Sequence, residues 1–121
     1  MKAQPSPPAL IATLSRLAEG LGGVERRKMF GYPALFINGN MFAGLMRDTM
    51  VLRLPETNRQ SLIDSGKATP FVAMGRTMRE WVALAPLLLG DKAELRESLG
   101  KALAHTAAMP PKPAKAKRVK G

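Results

Sequence analysis

The chain has 121 residues, no cysteine, one histidine and a net charge of +10, from 19 Lys+Arg against 9 Asp+Glu. That length fits one domain. The absent cysteines exclude disulfides, thiolate chemistry and the usual zinc or iron–sulfur sites, and a lone His105 excludes two-histidine metal sites and most triads.

The first signal is helical. Ser6 stands as an N-cap, with Pro7 and Pro8 in the first turn. Leu10, Leu14, Leu17 and Leu21 recur at four- and three-residue steps, widened by Ile11 and Ala18, which predicts a helix near 8–20. Gly20, Gly22 and Gly23 supply the stop. From Val24 to Leu54 the helical spacing gives way to short apolar runs. Asn38-Gly39, the preferred pair for a tight hairpin, separates Ala34-Leu35-Phe36-Ile37 from Met41-Phe42-Ala43. Arg47-Asp48-Thr49 makes a second turn. The reading is a three-stranded meander at 26–37, 40–46 and 50–54, with Gly31 and Pro33 bending the first strand.

Pro55 opens a short helix over Glu56 to Ser65, ended by Gly66, with Leu62 and Ile63 facing inward. Phe71-Val72-Ala73 and Glu80 to Ala85 follow as two strands, closed by Pro86. Asp91 caps a last helix whose buried stripe is Leu95, Leu99, Ala102 and Leu103. The expected fold is therefore α+β: a two-layer domain, an antiparallel sheet covered on one face by helices, in the order α-β-β-β-α-β-β-α. It spans residues 1–109. Residues 110–121 form a basic tail in which Lys112, Lys115, Lys117, Arg118 and Lys120 stand without an acid, carrying half the net charge. Its composition predicts disorder, and its cations make it a candidate for sequence-blind contact with nucleic acid.

Searches for catalytic chemistry return nothing. No serine lies in a Gly-x-Ser-x-Gly elbow, and His105 falls at the end of the last helix, where a dipole or solvent contact accounts for it. Asp91, Glu94 and Glu97 recur at three-residue steps, but Lys92, Arg96 and Lys101 beside them read as local ion pairs. Gly20-Leu21-Gly22-Gly23 follows a helix, the wrong polarity for a phosphate cradle. Arg26-Arg27-Lys28, with Arg47, Arg53, Arg76 and Arg79, could make a basic sheet surface near Phe30, Tyr32, Phe36 and Phe42, although core packing explains those aromatics more simply. Met29, Met41, Met46, Met50, Met74 and Met78 read first as core filler and, if exposed together, as an interface. No apolar run reaches the roughly 20 residues of a membrane span, and the polar, proline-rich start lacks a signal-peptide core.

Arg27-Lys28-Met29-Phe30-Gly31, then Phe36-Ile37-Asn38-Gly39-Asn40-Met41-Phe42-Ala43, then Leu52-Arg53-Leu54 resemble the TfoX N-terminal domain family, also called TfoX/Sxy. Asn58-Arg59, Pro70-Phe71 and the Trp81 strand continue the likeness across residues 10–105. The resemblance implies the same two-layer order and carries no catalytic motif. Its founding members are regulators of natural competence that work with a transcription factor and carry a second domain after this one, where here the lysine-rich tail stands. The expectation is a cytoplasmic, non-enzymatic binding or regulatory domain without cofactor or metal. Its partner is another protein or a second copy of itself; the alternative is a nucleic acid held by the tail.

Overall fold

A computed structural model of the protein describes residues 7–29, 31–73 and 75–110. Its elements are α1 (Pro8–Glu19), β1 (Glu25–Met29), β2 (Tyr32–Ile37), β3 (Asn40–Met46), β4 (Thr49–Arg53), α2 (Glu56–Asp64), β5 (Ala68–Ala73), β6 (Arg76–Leu84), α3 (Pro86–Leu89) and α4 (Lys92–Ala107). The strands form one antiparallel sheet in the order β1-β2-β3-β4-β6-β5. The α+β fold with helices on an antiparallel sheet is as expected; the element order gains one strand and one short helix.

The added strand comes from the segment expected as one bent strand over 26–37. Met29 pairs with Tyr32, and Gly31 at φ 86° lets the chain reverse between them. The glycine thus marks a turn, where a bend was expected. Pro33 follows opposite Lys28, at a position that exchanges no hydrogen bond with β1, and on its other side the β2–β3 ladder starts one residue later, at Ala34 opposite Gly44. The added helix is α3: Pro86 does not simply end the strand but opens a four-residue turn that buries Leu88. β5 and β6 also start earlier than expected, making a longer hairpin. Ser6 and residues 111–121 of the basic tail lie outside the described residues, and Pro7 occupies the α1 N-cap with no side-chain cap.

Other local expectations hold. Asn38 and Gly39 both take positive φ, 53° and 82°, between the paired Ile37 and Asn40, so this is the two-residue turn that Asn-Gly favours. Asp91 Oδ1 accepts from the Glu94 N–H at 3.1 Å and caps α4. Ser65 follows the last residue of α2, and the Lys67 and Gly66 N–H groups donate back to Leu62 and Ile63, closing the helix end.

The register sorts the strand residues into two faces. Leu35, Ala43, Leu52 and Val82 face one another across four strands, and Leu45, Met50, Leu54 and Leu84 lie on the same side. These join one apolar cluster with Leu14 and Ala18 of α1, Leu62 of α2, Leu88 of α3, and Leu95, Leu99 and Ala102 of α4. Strict alternation would exclude Phe42 from that side. The pairing, however, runs Leu35 to Ala43 and then Phe36 to Met41, leaving Phe42 as an extra residue in β3. This β-bulge lets Phe42 and Ala43 both point into the helix-side core, where each is fully buried, and sends Met41 the other way.

Two predictions test this arrangement. Phe42→Ala should cost about 3–5 kcal/mol of unfolding free energy and Met41→Ala less than half as much, read by urea denaturation. Gly39→Ala should cost about 1–2 kcal/mol because its φ is left-handed, whereas Asn38→Gly changes little.

Candidate functional site

The face of the sheet turned from the helices has its own construction. One row, Arg27-Ala34-Gly44-Val51-Ala83-Thr69, crosses all six strands at matched positions. Its middle is small. Ala34 and Val51 are 1% and 3% exposed, yet neither belongs to the helix-side cluster. The Met41 methyl lies so close over Gly44 that a Cβ there would displace it. Phe36, buried beside them, carries the Arg27 guanidinium 4.8 Å from its ring centre, and Arg27 is held in turn by Glu25 at 3.0 Å. Arg53 lies 5.2 Å over the ring of Trp81. Met41, Trp81 and Met29 remain half-buried. The result is a row of small residues, a trough in the side-chain layer that Met41 fills at Gly44, with methionine, aromatic and arginine side chains on the same face. Tyr32 and Met46, at one end, reach round to the helix-side cluster.

At the other end polar groups gather. Arg53 Nε stands 3.5 Å from Glu80 Oε1, an ion pair without hydrogen-bond geometry that leaves Nε without a hydrogen-bond acceptor. His105 Nε2 approaches the same oxygen at 3.9 Å. Arg53 Nη1 donates to Met109 Sδ at 3.5 Å, and Asn40 Nδ2 donates to the Pro110 carbonyl at 3.1 Å. This cluster fastens the residues after α4 to β3, β4 and β6. It brings together no nucleophile with a base. His105 therefore sits in the last turn of α4 as expected, with a carboxylate neighbour that spacing alone did not show.

The remaining candidates are occupied elsewhere. Asp91 caps α4, Glu97 pairs with Lys101 at 3.6 Å, and both Glu94 oxygens accept from Lys67 Nζ at 2.7 and 2.8 Å. The Lys67 partner lies in the connection between α2 and β5, where neighbours on α4 had been expected. A crevice of about 70 Å³ between α2 and α4 is lined by Asn58, Ser61, Glu94, Glu97, Ser98 and Lys101. It has room for a few waters and falls far below the roughly 300 Å³ at which small-molecule sites begin. Among the described residues, no three His, Asp or Glu side chains gather as metal ligands, and no helix is long and apolar enough to cross a membrane.

Of the motif residues, Arg27, Lys28 and Met29 form most of β1; Gly31, Asn38 and Gly39 make turns; Phe42 is the extra residue of the bulge and Met41 precedes it. Phe30, Met74 and the tail cations Lys112, Lys115, Lys117, Arg118 and Lys120 lie outside the described residues. Arg47 sits in the β3–β4 turn, at the sheet end opposite Arg53, and Arg76 and Arg79 are exposed on β6. The aromatics expected beside them are inside: Tyr32 and Phe36 are 6% exposed and Phe42 is 0%.

The family model for the TfoX N-terminal domain matches residues 15–106, from within α1 to the last turn of α4. The chain belongs to the TfoX N-terminal domain family. No curated protein gives a significant match. The match takes in every strand of the TfoX N-terminal domain, and with them the whole trough, and stops short of Met109 and Pro110.

Thr106, the last matched residue, is fully buried with its hydroxyl unpaired. Thr106→Val should therefore raise the unfolding free energy by about 1 kcal/mol, since an unsatisfied buried hydroxyl costs about 1–3 kcal/mol. Urea denaturation checks it.

Proposed function

We propose that this TfoX N-terminal domain is a non-enzymatic regulatory module of the cytoplasm that works by binding another protein across the helix-free face of its sheet. The observation that carries the reading is the trough itself. Half-buried Met41 covers Gly44 beside Ala34 and Val51, half-buried Met29 and Trp81 share the same face, and Arg27 and Arg53 stack on aromatic rings there. Methionine, tryptophan and arginine are the residue types that concentrate binding energy at protein interfaces, and methionine adapts to irregular partners. Bases, in contrast, need exposed rings to stack on; Tyr32, Phe36 and Phe42 offer none, and half-buried Trp81 already carries Arg53 over its ring.

The experiment is affinity capture from lysate with quantitative comparison of the native chain and a Met41→Lys/Trp81→Ala variant, alongside light scattering of each. The native chain should retain a protein partner that the variant loses at least tenfold, with the variant's thermal midpoint lowered by less than about 5 °C. A strictly monomeric native chain that retains nothing, or equal retention by the variant, refutes the reading.

Composition supports a second activity. The tail cations can each neutralise a phosphate, so removing residues 111–121 should flatten the salt dependence of DNA retention by up to about 4 in log–log slope. Fluorescence anisotropy with labelled duplex at several salt concentrations reads this. Equal slopes with and without the tail would rule the tail out.

A further inference from the structure

The two edges of the sheet differ in kind. β5 carries Pro70, which has no N–H to offer, and its register shifts between Pro70 and Val72. Such an edge is poorly suited to receive another strand. β1 is regular. Its five residues pair one for one with β2, from Glu25 opposite Phe36 to Met29 opposite Tyr32.

The geometry of that pairing decides which backbone groups are free. Met29 and Tyr32 close a two-residue hairpin, a position where the pair exchanges both its hydrogen bonds. Alternation makes Arg27–Ala34 and Glu25–Phe36 pairs of the same kind. The N–H and C=O groups of Arg26 and Lys28 therefore point away from β2, along the open edge. Arg26, Arg27 and Lys28 are all exposed. Arg27 is engaged by Glu25 and Phe36, whereas among the described residues Arg26 and Lys28 have no ion-pair partner.

Charge then selects what can dock. A second copy adding antiparallel through the same two residues would set Arg26 against Lys28 in both directions and Arg27 against Arg27. Like charges directly opposed destabilise a pair of strands, and opposite charges stabilise it. We propose that the β1 edge receives an extended acidic segment of a partner protein, added antiparallel as a seventh strand. Three consecutive Asp or Glu residues of that segment lie opposite Lys28, Arg27 and Arg26. Main-chain hydrogen bonds to Arg26 and Lys28 supply the attachment and the carboxylates supply the selection. The proposal rests on the reading that this domain acts by binding protein; it places the attachment at the edge beside the trough and names the partner's chemistry.

The test uses the full ¹⁵N-labelled chain and a blocked heptapeptide, Thr-Val-Glu-Glu-Glu-Val-Thr, followed by amide hydrogen exchange. The Arg26 and Lys28 amides should slow by about tenfold or more, while Arg27 and Met29, already bonded to β2, change little. The same peptide with lysine in place of glutamate, and a short oligothymidylate, should leave all four unchanged. Lys28→Pro removes one outward donor while leaving the β2 pairs, and should abolish the protection. Lys28→Gln keeps the donor and should weaken the peptide several-fold, which reads the charge alone if the proline variant does not fold. Protection without alternation, or equal protection by the lysine peptide or the oligonucleotide, overturns the proposal. So does an edge left unprotected while the Met41→Lys/Trp81→Ala variant still loses its captured partner; that result removes the edge and leaves the sheet-face reading standing.

Discussion

The insertion of one residue, Phe42, into β3 governs both sides of the sheet. In a regular strand every second side chain changes face, so Phe42 and Ala43 could not share one. The bulge relaxes that rule once. It places the largest fully buried side chain of the domain among Leu52, Leu95 and their neighbours, and it releases Met41 to cover Gly44 on the other side. A core built against the helices and an adaptable apolar trough behind it therefore have one origin. Restoring the regular pairing would expose Phe42 and empty the core position it fills.

The helix-free face works because its floor is small. Ala34, Gly44 and Val51 are buried outside the helix-side cluster, and Met41 covers Gly44 from the same sheet. Flexible methionine over glycine is a cover that a partner can displace at low cost, in contrast to a packed helix. The arginines at the margins are steered by ring contacts to Phe36 and Trp81 and by carboxylates to Glu25 and Glu80. The Arg27 contacts are exposed and individually weak, so they orient charge more than they stabilise the fold, whereas Arg53 is partly buried with its Nε out of water.

Most of the fold was legible in the sequence, because it depends on local chemistry. The leucine spacing of α1, the Asn38-Gly39 turn and the Asp91 cap each state a structure within a few residues. What escaped has a physical reason in each case. The segment around Gly31 and Pro33 combines a strand breaker with a residue tolerated at strand positions that need no N–H, so bend and turn read alike until Met29 is seen to pair with Tyr32. β2 and β4 are buried on both faces, so their apolar runs do not alternate and reveal no inside or outside. The bulge contains neither glycine nor proline. The trough needed the register of six strands before Ala34, Gly44, Val51 and Ala83 could be seen as neighbours, and no spacing along the chain connects them.

The topology also has a kinetic meaning. Four of the five strand pairings join sequence neighbours across two-residue connections, and such contacts close quickly. Only β4 against β6 spans a long interval, with α2 and β5 inside the loop, and Val51 must find Ala83 before the two hairpin systems become one sheet. Among the strand pairings that closure carries the largest loop entropy, and Leu52 and Val82, both fully buried, face each other at the seam it forms.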